Sequence, residues 1–398
     1  MKKYDEILTK AQNIKDWIVN IRRDLHMNPE LSTEEFRTGD KIVEYLENLE
    51  IEYKTGIADT GVLGIIRGKQ KGKTVALRAD IDALPIQDKK DAPYKSTIDG
   101  KMHACGHDAH TAILLGTARI LKGMEDNLCG NVKLFFQPAE ESVGGAERMI
   151  EDGVMEDPKV DAVFGLHVSP EIEVGKIGIK YGQTNAYTDG VEIIVHGKGC
   201  HAARPHEGVD AIVISGQIII ALQSIVSRNV DPINSAVVTI GTISGGTRGN
   251  IIADRVELKG TIRTLDFDTR ESVIKRIKDI VTQIAEAMGG KAECIINEGY
   301  IALVNTDEIV DIARDSGEAI LGVDNVTILK SPRLGGEDFS YFAKAAPAAF
   351  YRLGCGNIEK GIVHGAHSCR FDIDEDCLVY GTALQVRNVL SFLGYSPV

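Results

Sequence analysis

The feature that most constrains this chain is a change of pattern at about Thr188. Before it, short Val-, Leu- and Ile-rich segments at 61–67, 74–78, 132–137 and 161–166 read as strands, and segments of helical period at 109–124 and 145–152 fall between them. After it the order becomes strand 191–197, helix 210–229, strands 236–243 and 255–265, helix 269–288 and strand 292–297. The first pattern builds an α/β sheet. The second, β-α-β-β-α-β, builds a ferredoxin-like α+β unit, an antiparallel sheet with its helices on one face. A chain of 398 residues is long enough for both cores. The tail returns to mixed helices and short strands with polar clusters at 334–339 and 364–373, so the expected organisation is one discontinuous domain, 1–185 with 298–398, carrying 186–297 as an insertion. Two helices, over 4–28 and 33–49, are predicted around Asn28-Pro29.

Composition excludes partners more than it names them. A formal net charge of −13 disfavours nucleic acid and anionic membranes. The N-terminal segment has a helical amphipathic pattern in place of an apolar leader, and no run reaches the ~20 apolar residues of a membrane span. Seven scattered cysteines show no disulfide-scaffold spacing and fit reduced thiols. A cytoplasmic protein is expected.

The chemistry concentrates where predicted strands end. Asp80 and Asp82 follow one strand, Glu140-Glu141 another and His167 a third, and the carboxyl edge of such a sheet is where ligands bind. Between them, Met102-His-Ala-Cys-Gly-His-Asp-Ala-His-Thr111 crowds three imidazoles, a thiol and a carboxylate into ten residues. Such groups add nothing to a core, but all coordinate transition metals, and Gly106 lets Cys105 and His107 turn toward one centre or two. Adjacent carboxylates such as Glu140 and Glu141 can divide the labour, one holding a metal and one moving protons, or can be a surface acidic pair. His167 taken alone reads equally as a core or rim histidine. In His364-Gly-Ala-His367-Ser-Cys369 any of the three donors is a possible ligand, and Arg263 either clamps a carboxylate or faces solvent.

Seven motifs in order resemble one known family: Arg23-Asp-Leu-His-Met-Asn-Pro-Glu-Leu31, Leu77-Arg-Ala-Asp-Ile-Asp-Ala-Leu-Pro85, Met102-His-Ala-Cys-Gly-His-Asp108, Gln137-Pro-Ala-Glu-Glu141, Gly165-Leu-His167, His201-Ala-Ala-Arg-Pro-His206 and Gly336-Glu-Asp-Phe339. The family is the amidohydrolases of the aminoacylase/carboxypeptidase metallopeptidase clan, in the branch of N-acyl-amino-acid, hippurate and auxin-conjugate hydrolases. The resemblance runs from about residue 14 to 395.

It implies a mixed-sheet catalytic domain with a lid and dimerisation insertion, two divalent metal ions per chain (Zn, Mn, Ni or Co), and a homodimer or higher homo-oligomer acting on N-acyl amino acids. Carried over by position, Cys105, His107, Glu141, His167 and His367 match metal ligands, with Cys105 the bridge. Glu140 matches the general base and Asp82 an orienting carboxylate, with Asp80 beside it. His201 matches an oxyanion-stabilising histidine supplied across a dimer, and Asn250 and Arg263 match residues holding the substrate carboxylate. The chain departs from the family at His367-Ser-Cys369 and in its additional His364, which leaves His364 and Cys369 as alternatives to His367. A dipeptidase or aminopeptidase of the same clan is the second reading, and a non-catalytic ligand-binding dimer the third.

Overall fold

The computed structural model describes residues 4–395. The chain forms two compact units. The larger holds the chain up to Thr184, Val304–Ser331 and the segment from Asp338 onward; the smaller holds Asn185–Leu303 and Pro332–Glu337.

The larger unit opens with helices α1 (Tyr4–Asn13), α2 (Lys15–Met27) and α3 (Phe36–Asn48) and continues β1 (Glu52–Ile57), β2 (Gly61–Arg67), β3 (Gln70–Asp80), α4 (His107–Lys122), β4 (Cys129–Gln137), α5 (Ala146–Glu151), β5 (Ala162–Glu173) and β6 (Ile177–Ile179). After β7 (Gln183–Asn185) come β8 (Tyr187–His196), α6 (Ala211–Ser224), β9 (Ala236–Gly245), β10 (Arg255–Thr264), α7 (Phe267–Ala287), β11 (Lys291–Glu298) and β12 (Leu303–Val304). The chain ends with α8 (Asp307–Leu321), β13 (Val326–Ile328), α9 (Phe339–Ala345), β14 (Ala348–Gly356) and α10 (Asp376–Phe392).

The larger sheet is mixed, in the order β1-β2-β4-β3-β5-β14-β6-β13. Its middle strands β4, β3, β5 and β14 run parallel, so their carboxyl ends share one edge of the sheet. Strands β4 and β14 are buried along nearly their whole length and β3 from Thr74 onward, which is why they read as continuous apolar runs. Helix α2 turns Ile18, Ile21 and Leu25 inward at helical spacing. Helices α4 and α10 lie against each other and are buried almost all round.

In the smaller unit the sheet order β11-β8-β10-β9, all antiparallel, is the arrangement expected of a β-α-β-β-α-β unit. Asp210 and Asp266 accept hydrogen bonds from the first free N–H groups of α6 and α7 and fix where those helices start. The unit has its own core of Val191, Ile193, Ile218, Leu222, Leu258 and Ile277 with their neighbours.

Three expectations are corrected. The helix over 4–28 is two helices, broken at Ile14, whose backbone leaves the helical region at φ −106°, ψ 10°. Strand β1 was not foreseen, because only Ile57 of this edge strand is buried and its polar sequence carries no strand alternation. His167 does not follow a strand end; parallel pairing with β14 continues past it, and it stands opposite Arg352 within β5.

Candidate metal centre

The parallel edge brings separate stretches of sequence together. Strands β3 and β4 end in register, Asp80 opposite Gln137, so Asp82 and the Glu140-Glu141 pair leave the sheet side by side. Gly106 enters α4 at φ +94°, and a Cβ there would lie 2.3 Å from Val168, the residue after His167. Only glycine brings the Cys105–His107 turn this close to β5. The resulting groups of potential donor atoms, each mutually within 4.8 Å, include Cys105 with His107 and His167, Cys105 with Glu141 and His367, His107 with Glu140 and Glu141, and Asp80 with His107 and His110. His367, at φ +64°, is held by its N–H donating to the Ala104 carbonyl at 2.8 Å, and its Nε2 lies 3.1 Å from Glu141 Oε1. His364 and Cys369 belong to none of these groups among the described residues.

Asp82 organises the site. Its Oδ1 lies 3.0 Å from His107 Nδ1, and its Oδ2 accepts the Ser32 hydroxyl at 2.7 Å and the Glu141 N–H at 3.0 Å. Burial opposes its ionisation, but these donors hold its pKa below the usual carboxylate range. With Nδ1 turned to Asp82, His107 presents Nε2 to the cluster, where it is buried without a hydrogen bond and lies 3.6 Å from Asp80 Oδ2 and 3.9 Å from Glu141 Oε1. His167 is similar: its Nδ1 donates to the Val168 carbonyl at 2.7 Å and its Nε2 lies 3.3 Å from Cys105 Sγ. Burial, with His110 and Arg352 nearby, pushes the His167 pKa well down, so its ring is neutral.

The residues fit a divalent metal. Four carboxylates, Asp80, Asp82, Glu140 and Glu141, stand beside two imidazoles whose outer nitrogens are oriented by hydrogen bonds on the opposite side of the ring, the arrangement that prepares histidine as a ligand. Burial pushes the Cys105 thiol up, so a cation is what would hold it as thiolate.

Two supports went unnoticed in the sequence. His110 Nδ1 lies 2.5 Å from Asp80 Oδ1 and its Nε2 accepts the Val168 N–H at 2.9 Å, so both ring nitrogens are occupied and His110 acts as a strut. Asp80 also receives Arg78 at 2.7 Å, and Arg78 reaches Asp338 at 2.9 Å. Burial opposes ionisation of Asp80, yet Arg78, His107 and His110 keep its pKa well below normal. The spacing His107–His110, one helical turn on α4, is the signal that would have found this strut.

The model of peptidase family M20/M25/M40 matches residues 76–390, most of the chain. The chain belongs to that family. Among M20 relatives, it is 41% identical to thermostable carboxypeptidase 2 of Saccharolobus solfataricus over 98% of each chain. It is 43% identical to N-acetyl-L-cysteine deacetylase of Bacillus subtilis, over 91% of this chain and 85% of that one. A solved structure from Bacillus subtilis, described as a dinuclear metal-binding peptidase of the M20 family, superimposes with a TM-score of 0.84 at 34% identity, covering 97% of this chain and all of the other. The fold is accordingly the M20 fold, a mixed α/β catalytic domain with an inserted smaller domain.

The remaining M20 site candidates lie in the smaller unit. His201 is exposed and forms an isolated bridge with Ile251, and the neighbouring Ala202 N–H donates to the Asn250 carbonyl at 3.1 Å, so His201 and Asn250 sit together. Arg263 on β10 is half-buried, donates to the Thr261 hydroxyl and to the Ile262 carbonyl at 2.9 Å, and makes no salt bridge among the described residues. Burial lowers its pKa, yet it remains a cation with capacity for an anion.

Proposed function

We propose that this protein is a metal-dependent amidohydrolase that cleaves the amide bond of N-acyl amino acids, using two divalent ions such as Zn, Mn, Ni or Co. The observation that carries the reading is the Glu140-Glu141 pair beside Cys105, His107, His167 and His367 at the carboxyl edge of the sheet. The deacetylase relative supports the acyl-amino-acid class. When bound, the ions supply Lewis acidity toward water and the scissile carbonyl.

We assign Cys105, His107, Glu141, His167 and His367 to holding them. Glu140 takes a proton from the attacking water and returns it to the departing amine nitrogen, so the acyl group leaves as a carboxylic acid and the amino acid as a free amine. Asp82 fixes the Nδ1–H tautomer of His107 and, through the Glu141 N–H, the backbone next to the base. We assign His201 to the developing oxyanion and Asn250 with Arg263 to the substrate carboxylate; a half-buried guanidinium without a carboxylate partner supports the last role.

The same reading makes the smaller unit a lid and dimerisation domain. Ile212, Val213 and Ile220 of α6 are 48%, 49% and 67% exposed, an apolar face beside the free edge of β9, and this supports pairing with a second copy. The stretch Ala211–Asn229 is long and apolar enough to cross a membrane, but Ile214, Ile218, Leu222 and Ile225 on its other side belong to the core. Seven cysteines, none of them in a disulfide, support a reducing, cytoplasmic location.

The test is amine release from N-acetyl and N-benzoyl amino acids and from free dipeptides, using metal-reconstituted protein with and without chelator. Chelator-sensitive release from the acylated set is the expected result. Release from free dipeptides alone would replace this reading with a dipeptidase. Sedimentation equilibrium of the intact chain measures the dimer, and a monomer at micromolar concentration removes that part.

A further inference from the structure

Glu35, three residues after the Ser32 that holds Asp82, has no role in the reading above, yet it reaches the backbone on which Glu140 stands. Glu35 is fully buried. One of its carboxylate oxygens accepts the Thr60 hydroxyl at 2.7 Å and the other accepts the Ala139 N–H at 2.9 Å. Ala139 directly precedes Glu140 and is held at φ +58°, a left-handed conformation uncommon outside glycine. On the other side of Glu140, the Glu141 N–H is taken by Asp82, whose same oxygen accepts the Ser32 hydroxyl. The turn that carries Glu140 is thus held by a carboxylate on each side, Glu35 at the Pro138–Ala139 peptide before it and Asp82 at the Glu140–Glu141 peptide after it.

A purely local role for Glu35 does not fit. It occupies the N-cap position of α3 but makes no capping bond; the free Arg37 and Thr38 N–H groups of that helix are capped by Glu30, at 3.0 and 2.7 Å. Glu35 has turned away from its own helix toward a turn 104 residues later.

We propose that Glu35 is a positioning residue for amide hydrolysis, acting through the Ala139 peptide to aim the Glu140 carboxylate at the reacting water. This rests on the assignment of Glu140 as base. Glutamine at position 35 can make both bonds, its amide oxygen accepting from Ala139 and its NH2 donating to the Thr60 oxygen. Alanine can make neither. A displacement of about 1 Å in a reacting group lowers turnover about 100-fold.

The experiment compares Glu35→Ala, Glu35→Gln and Thr60→Val with the unmodified chain, each reconstituted with Zn2+ and assayed on N-acetyl-L-methionine for kcat and KM, with bound metal measured by mass spectrometry. Glu35→Ala is expected to lower kcat about 10- to 100-fold, with KM and metal content within about twofold of normal. Glu35→Gln is expected to recover most of that loss. Unchanged kcat in Glu35→Ala, a loss that tracks lost metal, or equal impairment of the glutamine variant overturns the proposal. If Glu35→Ala does not fold, Thr60→Val carries the test, with a smaller fall in kcat expected at full metal and an unchanged kcat overturning. Hydrogen exchange at the Ala139 amide reads the clamp without turnover. Protection that is lost in Glu35→Ala supports the clamp even if the unmodified chain hydrolyses no acylated substrate, which would refute the amidohydrolase reading instead; equal exchange in both overturns the clamp.

Discussion

Replacing Arg22 by methionine tests how far the metal centre depends on a buried ionic cluster. Arg22 is fully buried on α2 and donates to Asp108 at 2.8 Å, Asp372 at 3.0 Å and Glu375 at 3.4 Å, with Tyr94 stacked 4.7 Å from its guanidinium. Asp108 follows His107 in the first turn of α4, and Asp372 follows His367 by five residues, so one cation ties together the approaches to two proposed ligands. Methionine refills the aliphatic stem, so the cavity term is small. What remains is Asp108 in the core without its guanidinium partner, hydrogen-bonded to His26 at 2.7 Å. Removing one partner of a buried pair costs about 3–5 kcal/mol. With a urea m-value near the upper end of about 1–3 kcal/mol/M, the midpoint falls by about 1–2 M.

The sole tryptophan, Trp17, reports this event: it lies on the same helix, edge-on to Tyr45 at 5.5 Å and with Arg119 4.8 Å from its ring. Its fluorescence in urea measures the midpoint of the larger unit. Adding Asp108→Asn to Arg22→Met removes the stranded charge, so the double variant is expected to be about as stable as the single one or better. A midpoint shift below about 0.3 M, or losses that simply add, would refute the reasoning.

Glu140→Gln is expected to lower kcat about 10²- to 10⁴-fold with two metals still bound, checked by single-substrate kinetics alongside metal analysis. Asp82→Asn places an NH2 group among the three donors that now meet the carboxylate, and about 10- to 100-fold weaker metal binding is expected in a competition titration. Chelation is expected to lower the unfolding temperature of the larger unit, reversibly on metal return; at a metal concentration of 100 times Kd the bound ion contributes about 2.7 kcal/mol. Lys133 is buried on β4, donating to the Val154 carbonyl at 2.8 Å, and burial lowers its pKa from 10.5 to about 8. Between these values the unfolded chain binds more protons than the folded one, so this group makes stability rise with pH across the window. Lys133→Met should lose that slope in urea titrations at pH 8 to 10, and a variant with an unchanged slope contradicts the assignment.

What the sequence revealed, and what it hid, follows from the range of the interactions concerned. The β-α-β-β-α-β unit was legible because its strands alternate between a buried and an open face; β8 does so residue by residue. The carboxyl edge was legible because apolar strands stop at charged residues, at Asp80 and after Gln137. Strand β5 is expected from the sequence to stop at Leu166, before the polar His167, although its pairing with β14 carries it to Glu173. The full set of proposed ligands came only through the family motifs, since Cys105, Glu141, His167 and His367 lie far apart in sequence and are brought together only by the fold. Ser32, Glu35 and His110 were invisible as supports for the same reason. Each is an ordinary polar residue until its partner, 50, 104 or 30 residues away, is known.

The place of β14 in the larger sheet sets an order of assembly. That strand sits between β5 and β6, and α10 closes against α4 only after it. During synthesis the smaller unit, with its own core, is complete while the edge of β5 still has no neighbour on that side. Cys105, His107, Glu141 and His167 have all emerged by then, but His367 has not. A nascent or truncated chain therefore offers only part of the proposed ligand set next to an open, apolar strand edge, the condition that invites edge-to-edge aggregation.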